Sequence, residues 1–151
     1  MDFFVEILFV DYNEARARIL REALVGSGTT EHRVRVARTG VEALELLAGE
    51  LSRQGALRPD LILLSPDLPV VSGLDVLGAV KADPDLRSIP VVILTLPLRR
   101  KDLAECYARG ANSVVIRPVP LDALAETLRE TVRYWTRINA PLPTAGERDD
   151  E

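Results

Sequence analysis

Short apolar runs alternate along the chain with longer amphipathic stretches. Phe3 to Val10 is apolar except for Glu6 and predicts a buried strand. From Glu14 to Val25, Ala17, Leu20 and Leu24 recur at helical spacing among Arg16, Arg18, Arg21 and Glu22, and Gly26 stands where such a helix would stop. Arg33 to Ala37 is a weaker strand in which Val34 and Val36 alternate with arginine. Thr39-Gly40-Val41-Glu42 has the form of a capping box and opens a helix with Val41, Leu44, Leu47, Ala48 and Leu51 on one face; Gly49 blurs its end. Leu61 to Leu64 is apolar without alternation, as in a strand buried on both faces. Ser72 can cap a helix carrying Leu74, Leu77 and Val80, which Asp83-Pro84-Asp85 ends. Val91 to Leu94 is a fourth strand. Leu103, Ala104 and Tyr107 mark a short helix up to Gly110, and Val114 to Ile116 is a fifth strand. Pro120 opens a long last helix with Leu121, Leu124, Leu128, Val132 and Trp135 facing inward.

Five strand–helix pairs imply right-handed crossovers and a parallel sheet covered on both faces, an α/β (βα)5 fold. The pattern predicts one domain over residues 1–140 and a disordered acidic tail over 141–151, which ends Glu-Arg-Asp-Asp-Glu. In such sheets ligands gather beyond the carboxyl ends of the strands. Those ends carry Asp11-Tyr12-Asn13, Ser65-Pro66-Asp67-Leu68-Pro69, Thr95-Leu96-Pro97 and Arg117-Pro118.

Composition narrows the function. With 47% hydrophobic residues in 151 the chain can fill a core. A net charge of −4, from 19 basic and 23 acidic residues, argues against a general nucleic-acid binder. The single Cys106 excludes an internal disulfide, and with the single His32 it leaves no set for a multi-cysteine or His-rich metal centre. No stretch approaches the roughly 20 apolar residues of a membrane span, and the N-terminus lacks a basic signal region, so the expected compartment is the cytoplasm.

Five segments, in order and at matching spacing, resemble the receiver domain of two-component response regulators, the CheY-like family. They are Ile-Leu-Phe-Val-Asp-Tyr-Asn (7–13), Pro-Asp-Leu-Ile-Leu-Leu-Ser-Pro-Asp-Leu-Pro (59–69), Ser-Gly-Leu-Asp-Val-Leu (72–77), Ile-Pro-Val-Val-Ile-Leu-Thr (89–95) and Gly-Ala-Asn-Ser-Val-Val-Ile-Arg-Pro-Val (110–119). The link Lys81-Ala-Asp-Pro-Asp-Leu-Arg87 and the long aromatic-ended last helix are similar to single-domain regulators that partner bacterial phytochromes. The resemblance implies a flavodoxin-like doubly wound sheet of order 2-1-3-4-5. It also implies phosphoryl transfer from phosphohistidine to an aspartate beside Mg2+, and a cis peptide before Pro118.

At the residues that carry that chemistry the chain departs from the family. Ser65 holds the phosphoacceptor position, and an un-ionised hydroxyl without a neighbouring base is a poor nucleophile. Asp11 is followed by Tyr12 where a second carboxylate would bind the metal. Arg117 replaces the lysine and Val114 the switch aromatic; Thr95 is retained, but Leu96 and Pro97 follow it in place of a small residue. The expectation is a pseudo-receiver that is not an enzyme, with no metal or cofactor, and with Arg117 pairing bidentately with Asp11 and donating to Ser65. Asp67 is the alternative acceptor in a shifted register, which would make the chain a phosphoacceptor served by a histidine kinase at an unusual site. A flavin-binding relative is disfavoured, because Asp11-Tyr12-Asn13-Glu14 repels phosphate where a hydroxyl- and glycine-rich loop would be needed.

Plainer roles stand beside these. Asp11 can be a helix-entry residue, Ser65 only a strand end, and Thr95 a vestige of the switch. Cys106 is expected as a buried small hydrophobe, His32 as a solvated residue, and Arg99-Arg100-Lys101 as a solvated basic face. The last helix, about 28 Å long to Asn139, overhangs a short-stranded sheet and leaves Tyr134, Trp135 and Ile138 near its end. Either a second copy covers these residues or Trp135 folds back on the first helix. The expected partners are a histidine kinase or photoreceptor-type sensor and a second copy of the chain, with neither nucleic acid nor membrane. With about a dozen residues after the last helix, no output domain is expected.

Overall fold

The computed structural model describes residues 4–25, 31–49 and 58–143. The chain alternates β1 (Phe4–Val10), α1 (Glu14–Leu24), β2 (Glu31–Ala37), α2 (Gly40–Ala48), β3 (Leu61–Leu64), α3 (Gly73–Ala82), β4 (Val91–Thr95), α4 (Arg100–Ala108), β5 (Ser113–Ile116) and α5 (Leu121–Arg133). All pairings are parallel and the order is β2-β1-β3-β4-β5. This is the doubly wound, flavodoxin-like arrangement that the strand–helix alternation and the family resemblance imply.

The three central strands carry side chains into two cores. Ile7, Phe9, Leu61, Leu63, Val92 and Leu94 meet α1 and α5, whereas Leu8, Val10, Ile62, Leu64, Val91 and Ile93 meet α2, α3 and α4. Burial on both faces explains why β3 and β4 show no alternation. Helix entries follow local chemistry. Asn13 Oδ1 accepts from the Arg16 amide, Thr39 Oγ1 from the Glu42 amide, and Ser72 with Asp75 forms a reciprocal capping box. The Thr39 box closes one residue early, because the Glu42 carboxylate accepts from the Arg38 amide.

Three expectations are corrected here. In α2 the buried positions are Gly40, Ala43, Leu46 and Leu47, while Val41 is 43% exposed; Gly49 ends the helix at φ 84°, in the left-handed region glycine favours. In α4 only Cys106 is buried, so Leu103, Ala104 and Tyr107 lie on the surface. In α5 Leu121 is exposed, while Leu124, Leu128 and Val132 are buried. Gly26, Leu51 and the predicted tail beyond Pro143 fall outside the described residues.

The last helix does not continue as regular α-helix. Tyr134–Ile138 forms a π turn, with the Asn139 amide donating to the Tyr134 carbonyl. Trp135 is half-buried against the α1–α5 core and meets the Tyr134 ring edge to face at 5.1 Å. Tyr134 and Ile138 remain exposed. Within one chain, Trp135 thus packs against the cluster that holds Ala17, Leu20 and Leu24 of α1.

Candidate functional site

The carboxyl ends of β1, β3, β4 and β5 bring Asp11, Ser65, Thr95 and Arg117 to one end of the sheet, as the strand pattern implies. Asp11 follows β1 directly, and its amide donates to the Ala37 carbonyl. Ser65 follows β3 and donates its amide to Val10. Both are buried, as is Thr95. Gly73 lets α3 start hard against this floor, since a Cβ there would lie 2.2 Å from the Ser65 carbonyl oxygen.

The cation on Asp11 is Arg16. Its Nε donates to Oδ2 at 2.7 Å and its terminal nitrogen to Oδ1 at 2.9 Å, a bidentate fork. The Asn13 amide also donates to Oδ1. Arg117, the expected partner, forms no ion pair or side-chain hydrogen bond among the described residues. It lies within electrostatic range instead. Burial, then the like charge of Arg16, pull its pKa below the ordinary arginine value, against the pull of Asp11 and Asp67. Arg16 wins because it sits in the first turn of α1, five residues after Asp11, whereas Arg117 must cross from β5. The sequence carried a cue: a cation in a first helical turn faces the positive end of the helix dipole and calls for a carboxylate partner.

The peptide before Pro118 is trans, since no cis bond occurs among the described residues. The ordinary X–Pro preference for trans holds there, and the Arg117 amide still reaches the Thr95 carbonyl at 2.7 Å. Tyr12 is 58% exposed and points away from a ligand role. Asp67 is exposed in the loop after Ser65. In that loop Val70 is held at φ 67°, a strained position for a β-branched residue. Val114 is half-buried, and its amide donates to the Tyr107 hydroxyl, so a tyrosine from α4 lies over the position of the family's switch aromatic.

The donor set does not fit a divalent metal. Asp11 already accepts three hydrogen bonds on its two oxygens, Tyr12 turns outward and Ser65 is neutral. Among the described residues no three His, Cys, Asp or Glu side chains cluster as ligands. Cys106 is buried; burial, then Asp102, push its thiol pKa up, in keeping with a packing role. His32 is half-buried rather than freely solvated. Arg99, Arg100 and Lys101 are exposed at the start of α4, which has no side-chain cap. Among the described residues no helix is long and apolar enough to cross a membrane.

Comparison with known proteins places this site in context. The sequence profile of the response regulator receiver domain matches residues 7–129. The probable methanogenesis regulatory protein FilR2 of Methanothrix harundinacea is 36% identical over 133 residues, covering 88% of this chain and 84% of that protein. Response regulator Rcp1 of Synechocystis is 32% identical over 139 residues, 92% of this chain and 93% of Rcp1. Among solved structures, the phosphorylated cyanobacterial phytochrome response regulator RcpA superposes with a TM-score of 0.86 at 32% identity, over 93% of this chain and 99% of that one.

Proposed function

The chain belongs to the response regulator receiver family, and on that premise we propose that it is a pseudo-receiver: a two-component signalling adaptor that binds protein partners without accepting a phosphoryl group. One observation carries this reading. The buried Asp11 carboxylate, which would help hold the metal, is filled by the Arg16 guanidinium and the Asn13 amide. Phosphoryl transfer needs a cation to neutralise the transferring group and a nucleophile to receive it. Here the cation is a tethered side chain and the acceptor position is a serine. A fixed internal ion pair holds one arrangement of the pocket, so signalling rests on surface recognition alone.

Two surfaces support a binding role. A groove of about 220 Å3 runs between α1 and the β5–α5 loop, with Ile19, Leu96, Val119 and Leu121 around Arg16 and Arg117. The second surface is the α4–β5–α5 face, where Leu103, Tyr107 and Ile116 are exposed. We assign the first to a histidine kinase or photoreceptor-type sensor, in line with the likeness to the phytochrome response regulator RcpA. The second is assigned to a second copy of the chain, extended by Tyr134 and Ile138. The test is intact-mass spectrometry after incubation with phosphoramidate and Mg2+. An unchanged mass is expected. Gain of one phosphoryl group at Ser65 or Asp67 makes the protein an unusual phosphoacceptor and overturns the reading.

A further inference from the structure

A second recess lies on the other side of α1. About 380 Å3 in volume, it runs between α1 and the outer edge of the sheet, over Ala17 and Val36. Three carboxylates and three guanidiniums line it, and their pairing is uneven. Asp11 is held by Arg16, the Glu14 carboxylate by Arg38 at 2.8 Å, and Glu42 accepts from the Arg38 amide. Every acid in the recess therefore has a donor. The side chains of Arg18 and Arg21 are exposed and form no hydrogen bond or ion pair among the described residues.

Strand β2 borders this recess, and it is an edge. It pairs with β1 alone, so its outer backbone groups meet no strand among the described residues. Val36 faces the recess, while Arg35 is exposed on the opposite face of the same strand and also lacks an ion-pair partner among the described residues. Positive charge thus flanks the edge from both sides, on a chain whose net charge is −4. Charges on an edge strand also keep like edges apart. That role explains Arg35 but not Arg18 and Arg21, which lie on a helix beside an apolar floor.

We propose that the β2 edge with the Arg18–Arg21 recess is a docking site for an extended acidic segment of a partner protein, added as a sixth strand. The chemistry is specific. Side chains two apart on a strand share a face about 7 Å apart, a spacing that two guanidinium forks on adjacent helical turns can meet. Acidic side chains at alternate positions would take Arg18 and Arg21 above the Ala17 and Val36 floor, the side chains between them would point to the opposite face of the sheet, and backbone hydrogen bonds would complete the edge. A second copy of the chain is excluded as occupant, since its own β2 edge carries the same positive charge. The inference does not depend on how the Asp11 pocket behaves.

The test uses the full chain, isotopically labelled, titrated with an octapeptide of alternating glutamate and valine. The lysine–valine counterpart and a single-stranded oligonucleotide of similar length serve as controls. Amide shifts concentrated along 32–37 are expected for the acidic peptide alone, weakening with salt. Arg18→Glu with Arg21→Glu should lower its affinity by about tenfold or more. Arg18→Gln with Arg21→Gln gives the same reading if the charge reversal disturbs folding, which circular dichroism monitors. Absence of shifts on β2, equal binding of the lysine peptide, affinity unchanged in both double variants, or equally tight oligonucleotide binding through the same arginines would overturn the proposal.

Discussion

Arg16 and Asp11 form the pair on which the pocket turns. Asp11 is 4% exposed and Arg16 23%, so removing the arginine strands a largely buried carboxylate. Breaking a buried pair from one side costs about 3–5 kcal/mol. The partial solvent contact of Arg16 lowers the expectation to about 2–4 kcal/mol for Arg16→Ala in urea unfolding. Adding Asp11→Ala should recover part of that loss, because neither charge then remains alone; a double variant no better than the single would contradict the pairing. His32 offers a second residue-scale test. Burial, then Arg137, lower its pKa from the ordinary 6.5. The folded state therefore prefers the neutral ring, and the unfolded chain binds the extra proton first. Stability should fall as the solution is acidified from 6.5 through the lowered value. His32→Gln should flatten that part of the profile of melting temperature against pH.

At the scale of elements, the β3–α3 loop carries local strain. Val70 sits at φ 67° and is 98% exposed, so no packing compensates. Relief of a left-handed L-residue recovers about 1–2 kcal/mol, and glycine's extra chain entropy takes back about 0.5–1 kcal/mol. Val70→Gly should thus raise the melting temperature by roughly 2 °C, measurable by calorimetry; a fall would show that the strain is absent. The elements themselves are legible in the sequence, because β3 and β4 are unbroken apolar runs and Asn13, Thr39 and Ser72 cap helices locally. Helix faces are less so. Periodicity places Leu103 and Tyr107 inward on α4, yet α4 lies over the outer strand β5 and buries only Cys106. The π turn at Tyr134 leaves no mark in the hydrophobic pattern, since it shifts register only after Val132 has packed.

For the whole molecule, strand order and the convergence of Asp11, Ser65, Thr95 and Arg117 follow from alternation and resemblance. Which of two arginines reaches Asp11 does not, because that choice depends on three-dimensional proximity rather than on residue type. The apolar α4–β5–α5 face leads to a further expectation. Light scattering should find a dimer for the native chain and a monomer for Tyr107→Glu with Ile116→Glu; a native monomer at tens of micromolar would remove the second copy from the account. The central claim is that a tethered guanidinium stands in place of a metal ion, and paramagnetic resonance with Mn2+ meets it most directly. Free Mn2+ should persist when the native chain is titrated into it, with the Asp11 and Ser65 amide signals left sharp. Stoichiometric loss of the free-ion signal, with those two amides broadened first, would contradict it.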